Sequence, residues 1–214
     1  MDEKLYLEVF PKRQRELFFK LSELDWISDF YLAGGSALAL QLAHRRSIDF
    51  DFFSPEKLDL FKLKKELSRI GAYKVRAESE FILDGDLNAV RISFFNTAVP
   101  LIRPAILFGK IRIASKEDIA AMKMATMSVR GSRKDFVDLF FLLNEFGLEK
   151  LVDFFQEKYG ENLENLYCVL KGMTYFVDAE KMPMPRMIKP VTWGKVKKYI
   201  ISAHKEYINK VRRG

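Results

Sequence analysis

The stretch Ala33-Gly34-Gly35-Ser36-Ala37-Leu38-Ala39-Leu40-Gln41-Leu42-Ala43-His44-Arg45-Arg46-Ser47-Ile48-Asp49-Phe50-Asp51-Phe52-Phe53 decides the reading of this chain. It runs from a Gly34-Gly35 pair through an apolar segment to an Asp49-Phe50-Asp51 triplet. Two glycines after a strand let the backbone approach a ligand closely, because no side chain intervenes. Ser36 then opens a short helix, whose free N–H groups and positive dipole end suit an anion such as a triphosphate. In a strand over Ile48–Phe53, residues two apart share a face at roughly 6.5–7 Å, so Asp49 and Asp51 point the same way. Carboxylates so placed repel unless a cation sits between them, and oxygen ligands of this kind suit Mg²⁺ or Mn²⁺. Phe50, Phe52 and Phe53 are expected to anchor the opposite face in the core.

Outward from this motif, composition narrows the class. The chain has 214 residues, with 36 Lys+Arg against 29 Asp+Glu and a formal charge of +7. A hydrophobic fraction of 49% argues against disorder, which needs too little apolar surface to collapse. A single cysteine, Cys168, excludes a disulfide within the chain and a cysteine-based zinc site. With only His44 and His204 besides, any metal must be a hard cation held by carboxylates. The start, Met1-Asp2-Glu3-Lys4, lacks a basic-then-apolar signal, and the apolar run Phe30–Ala43 is too short to span a bilayer. A cytoplasmic protein with no membrane partner is expected, and the basic balance favours a polyanion as partner.

The chain changes character near residue 114. Before it, helical spacing occurs at Arg13–Leu24, Ser36–His44 and Leu60–Ile70. Phe81–Leu83 and Val90–Phe95 read as a hairpin turning at Asp84-Gly85-Asp86, and Val99–Ile113 as further strand and turn. After it, helices are expected over Lys116–Val129, Ser132–Phe146, Leu148–Tyr159, Leu163–Val177 and Thr192–Val211, with a stiff loop at Lys181–Arg186. The fold class is therefore α+β: a small mixed sheet flanked by helices over 1–113, followed by a helical bundle over 114–214.

In Ala121-Met122-Lys123-Met124-Ala125-Thr126-Met127-Ser128-Val129-Arg130-Gly131-Ser132-Arg133-Lys134-Asp135-Phe136-Val137-Asp138-Leu139-Phe140-Phe141-Leu142-Leu143, Lys123 lies on a helix that is apolar nearly all round. It must snorkel or pair with an anion. Asp135 and Asp138 share a face of the next helix, so a structural salt bridge to Lys123 and a phosphate-binding Lys123 oriented by an aspartate both fit.

Gly-Ser followed by Asp-x-Asp resembles the signature of the DNA polymerase beta-type nucleotidyltransferase superfamily. The two quoted stretches together resemble the AbiEii/AbiGii-type nucleotidyltransferase toxin family, over roughly residues 25–145. The resemblance implies a metal-dependent nucleotidyltransferase with an NTP as substrate. Asp49 and Asp51 would hold Mg²⁺ or Mn²⁺ and act catalytically. Gly34, Gly35 and Ser36 would grip phosphates, Lys123 and Asp138 would belong to the active site, and Arg130, Lys134 and Asp135 would line it. The helical domain would complete the cleft. It further implies an RNA acceptor, such as the 3′ end of a tRNA, and a cognate antitoxin; transfer to a protein hydroxyl uses the same metal site. Catalytic superfamily members bring a third carboxylate on a later strand, whereas Val90–Phe95 has none and Asp84 and Asp86 read as turn residues. A decayed nucleotide- or RNA-binding module is the alternative that this departure raises. The last helix carries Lys195, Lys197, Lys198, Lys205, Lys210, Arg212 and Arg213 against Glu206 alone, a run that suits a phosphodiester backbone and equally a solvated basic helix end.

Overall fold

The computed structural model describes residues 4–213. The chain divides into two compact units, one built from residues up to Leu42 with Arg46–Ser115, the other from Ala43–Arg45 with Lys116 onward.

In the first unit, among the described residues, seven strands form one sheet: β1 (Tyr31–Ala33), β2 (Phe50–Ser54), β3 (Tyr73–Ser79), β4 (Ile82–Leu87), β5 (Val90–Asn96), β6 (Ile106–Phe108) and β7 (Ile111–Ile113). Their order is β3-β4-β5-β2-β1-β7-β6. β2 runs parallel to β5 and β1 parallel to β7, while the other neighbours are antiparallel, so the sheet is mixed. One face is aromatic: Phe50, Phe52 and Phe94 are fully buried, with Phe52 stacked on Phe94 at 5.4 Å. Phe10 and Phe18 close on Phe50 at 5.1 and 5.8 Å, Phe18 coming from α1 (Lys12–Ser22). Helix α2 (Gly34–Leu42) follows β1 directly, and α3 (Leu60–Ile70) starts on Asp59, whose carboxylate accepts from the Lys62 amide.

Two local expectations change. Asp84-Gly85-Asp86 is not a turn but the middle of β4. The turn lies at Asn88 and Ala89, with φ of 51° and 60°. Asn tolerates this left-handed region, and Asn88 is further held by accepting from the Ala72 amide. Gly85 serves packing instead: a Cβ there would fall 2.6 Å from the Lys74 carbonyl and 2.7 Å from the Tyr73 ring. Phe53 also departs from expectation. Strict alternation in β2 puts it on the Asp51 face, half-buried and stacked between Tyr31 (5.7 Å) and Phe95 (4.9 Å).

The second unit is helical: α4 (Lys116–Val129), α5 (Arg133–Tyr159), α6 (Leu163–Gly172), α7 (Val177–Glu180) and α8 (Trp193–Val211). The two helices expected over 132–159 merge into α5, broken at Gly147, where φ is 76°. The one expected over Leu163–Val177 ends at Gly172 as α6, and the short α7 starts at Val177. A buried ion pair joins α4 to α5, Lys158 Nζ lying 2.7 Å from Asp118 Oδ1. Among the described residues, no helix is long and apolar enough to cross a membrane.

Gly172 lets α6 press against the end of α4, since a Cβ there would come within 1.9 Å of the Met127 carbonyl oxygen. Gly172→Ala is expected to lower stability by about 1–3 kcal/mol, or roughly 2–12 °C in Tm by calorimetry. An unchanged Tm would show that the helices meet otherwise.

Candidate active site

The Gly34–Asp51 motif is built on adjacent strands. Ala33 ends β1 opposite Asp51 of β2, and the chain turns at once into α2. Gly34 has φ of 67°, and a Cβ on it would lie 3.1 Å from Asp51 Oδ2. Glycine is therefore required on two counts, and its bare backbone leaves a cradle beside the Asp51 carboxylate. Gly35 is half-exposed at the same helix start. Ser36 is only 1% exposed, and its hydroxyl is used within the fold. It donates to the Asp49 carbonyl, and its oxygen lies 2.9 Å from Ser47 Oγ. An anion at this helix start therefore meets backbone amides, while the Ser36 side chain pins Asp49. Strand β2 begins at Phe50, so Asp49 sits just before it and Asp51 within it, both half-buried.

The sheet register adds what sequence reading missed. Asp51 is opposite Ser93 of β5, and Ser93 is opposite Asp84 of β4. Laterally paired residues share a face, so Asp84 lies on the Asp51 face, two strands away. The expectation that no strand carboxylate accompanies the pair is corrected in this respect: Asp84 is a strand residue, 6% exposed. Ser93 Oγ donates to it at 2.8 Å, and Arg91 donates from Nε and Nη2 at 3.1 Å each. Burial by itself would raise the Asp84 pKa, but these hydrogen bonds outweigh it and hold the group below the ordinary carboxylate value. Arg91 is in turn held above its ordinary value, first by Asp84, with Asp49 and Asp51 adding to the attraction. The face thus reads Asp49/Asp51, Ser93, Arg91, Asp84, with the cation on the same face as the acidic pair.

In the helical unit, Asp138 is fully buried and ringed by donors. Arg45 reaches it with Nε at 2.6 Å and Nη2 at 2.9 Å, His44 with Nε2 at 2.8 Å, and Lys123 with Nζ at 2.8 Å. Lys123 also donates to Asp135 at 2.8 Å, and Asp135 accepts from the Ser132 amide. Burial would raise both carboxylate pKa values. For Asp138, the Arg45 and Lys123 charges reverse this and hold it well below the ordinary range; for Asp135, Lys123 brings the group below its ordinary value. Burial would lower Lys123, but Asp138 and then Asp135 raise it, so the ammonium stays charged. Burial also lowers His44 from 6.5, against its bond to Asp138, so the imidazole is neutral. Its Nδ1 is buried without a hydrogen-bond partner.

Of the residues expected together, Lys123, Asp135 and Asp138 form one cluster. Arg130 does not join it: exposed at the end of α4, it lines a cavity of about 560 Å³ with Lys171 and Tyr175. Lys134 is exposed on the first turn of α5. Among the described residues, no group of three or more His, Cys, Asp or Glu converges as a metal site.

The sequence profile described as "Nucleotidyl transferase AbiEii toxin, Type IV TA system" matches residues 16–186. The chain belongs to this AbiEii family. It is also 36% identical over 206 residues to an uncharacterized protein of Aquifex aeolicus (strain VF5), covering 92% of this chain and 97% of that one. Two solved structures are similar at 15% identity, which shows the fold. JHP933 from Helicobacter pylori has a TM-score of 0.58, with 98% of this chain and 97% of that one covered. MenT4, a nucleotidyltransferase toxin from Mycobacterium tuberculosis H37Rv, has a TM-score of 0.51, with 89% and 82% covered. This AbiEii protein is a nucleotidyltransferase with the mixed-sheet fold of that class. His44 and Arg45, the partners of Asp138, stand inside the first quoted motif. A His-Arg pair directly after an apolar helix was the available signal, but its target 93 residues away was not.

Two outcomes follow from the Asp138 cluster. Asp138→Asn removes the buried carboxylate that Arg45 and Lys123 share, leaving Lys123 with Asp135 alone, and is expected to cost about 3–5 kcal/mol in denaturant unfolding. The second concerns pH. His44 is depressed in the folded state, so below its ordinary 6.5 the unfolded chain takes up the proton first. Stability should therefore fall between about pH 6.5 and 5, above the carboxylate range, and His44→Gln should flatten that slope. Parallel Tm-against-pH curves for the two proteins would refute it.

Proposed function

We propose that this nucleotidyltransferase moves a nucleotide from an NTP to an RNA 3′ end, tRNA being the acceptor class the family suggests, as the toxin of a pair restrained by a cognate antitoxin. The observation that carries the reading is the placement of Asp49 and Asp51 beside the bare backbone of Gly34 at the start of α2. Negative charge from two carboxylates next to open helix amides suits a metal–triphosphate and little else. Asp49 and Asp51 would hold Mg²⁺ or Mn²⁺, and the cradle that a Cβ on Gly34 would fill is room consistent with an ion. When bound, the metal supplies Lewis-acid stabilisation of charge developing at the α-phosphate.

The chain's own groups do the rest. Amides of Gly35 and Ser36 hold phosphate oxygens, and the Ser36 hydroxyl keeps Asp49 in place. Arg91, anchored by Asp84, whose carboxylate Ser93 also holds, brings a fixed cation to the face that carries the aspartates. The family resemblance would further give Lys123, Asp135, Asp138, Arg130 and Lys134 a part in the reaction; within the helical unit, Asp138 and Asp135 keep Lys123 charged. The setting is cytoplasmic, where NTP and RNA are at hand. The second reading, NTP binding without turnover, is favoured by one observation: Ser93 stands where a third carboxylate would pair beside Asp51, and Asp84 is occupied by Arg91.

Each α-labelled NTP incubated with Mg²⁺ or Mn²⁺ and total RNA should give labelled RNA. Asp49→Asn/Asp51→Asn should lower the rate at least about a hundredfold. Label on protein instead would establish a hydroxyl side chain as acceptor. No label with retained NTP binding would establish the binding module.

A further inference from the structure

The charge of this chain is concentrated in one place. Residues 195–213 hold seven lysines and arginines against Glu206 alone, a formal +6 of the chain's +7. On α8 these cations are sorted by the helical period. Val196 and Ile200 are fully buried on one side, where Tyr199 also packs edge-on against Phe140 of α5 at 5.2 Å. Lys195, Lys198, Ser202, Lys205, Asn209 and Arg212 recur at alternating steps of three and four, and all six are exposed. They make one straight stripe on the opposite side, about 25 Å long at 1.5 Å per residue. The off-stripe lysines are occupied, Lys197 with Glu180 and Lys210 with Glu149. Among the described residues, Lys195, Lys198, Lys205 and Arg212 have no ion-pair partner.

We infer that the α8 stripe is a docking surface for the sugar-phosphate backbone of RNA. The inference rests on the reading of RNA as acceptor and adds where this chain holds it. Four unpaired cations with Asn209 between them offer the charges and a hydrogen-bonding group that phosphates take, while the Ser202 hydroxyl donates to Glu206 at 2.8 Å and leaves the cations to carry the contact. The stripe has no apolar or aromatic side chain, whereas protein interfaces are anchored by such groups. A membrane surface is disfavoured because the apolar side of α8 is already buried within the helical unit. Contacts of this kind supply affinity without reading bases, so they act on binding and not on chemistry.

The test measures fluorescence anisotropy of a labelled RNA stem-loop with a single-stranded 3′ end across a salt series. Four neutralised phosphates contribute about 3 to the slope of log K against log salt, or roughly 50–150-fold in affinity over a fourfold salt change. Lys195→Gln/Lys198→Gln/Lys205→Gln/Arg212→Gln should reduce the slope by about 3 and weaken binding at least tenfold near 0.1 M salt, with Tm unchanged. Lys197→Gln/Lys210→Gln should stay within about twofold of wild type. In transfer assays the fourfold variant should raise KM for RNA and keep kcat. An unchanged slope, or equal loss in the paired-lysine control, overturns the inference; so does a variant that keeps RNA but loses binding to polyglutamate. Binding is read without turnover: stripe-dependent binding with no transfer by wild type sinks the acceptor reading alone, and transfer with stripe-independent binding sinks this one alone.

Discussion

A full negative charge at zero exposure, the Asp138 carboxylate, is the constraint around which the helical unit is arranged. Desolvating a carboxylate costs several kcal/mol even after relaxation, and the cost is offset only where donors surround it in good geometry. Here a bidentate arginine, a histidine and a lysine converge on two oxygens. Those donors come from residues 44–45, from α4 and, through Lys123, back to α5 by way of Asp135. Three chain segments are thus tied at a single point. The Ala43–Arg45 segment belongs with the helices although the residues on either side of it belong with the sheet, because the charge it must neutralise is there. The Ile188 and Lys189 amides both donate to the His44 carbonyl, so the backbone of the same segment is held as well.

The sheet solves a different problem. β2 keeps Phe50 and Phe52 dry on one face and leaves Asp51 and Phe53 half-covered on the other. Because paired strands align side chains laterally, the polar face extends from Asp51 through Ser93 to Asp84. Asp84 is satisfied by Arg91 and Ser93, which makes Arg91 a fixed charge and not a wandering one. In a nucleotidyltransferase the developing charge is on phosphate, so preorganised cations and amides matter more than any single nucleophile.

Local chemistry was readable where the relevant partner is near in sequence. Helices α3 and α4 lie over the residues that apolar spacing marks, and the Gly34-Gly35-Ser36 and Asp49-Phe50-Asp51 elements fall at a helix start and at a strand as their residue types require. Gly85 was misread because glycine answers two needs, a positive φ and a close approach. Only the neighbouring Lys74 backbone and Tyr73 ring show which applies. With the turn moved to Asn88, Asp84 ceases to be a turn residue and becomes part of the face.

By itself, then, the sequence determined the α+β class, the family-bearing motifs and the concentration of basic residues in the last helix, since each depends on spacing within a few turns or strands. Tertiary structure decided which of those residues meet. The Ser36 hydroxyl pins Asp49, Asp84 joins the Asp51 face through Ser93, His44 and Arg45 neutralise Asp138, and Arg130 stands apart from Lys123. Each of these depends on strand register or on buried charge finding a counter-charge across tens of residues. A carboxylate's partner is chosen by the cost of leaving it alone in a dry interior, and that cost exists only once the chain has folded around it.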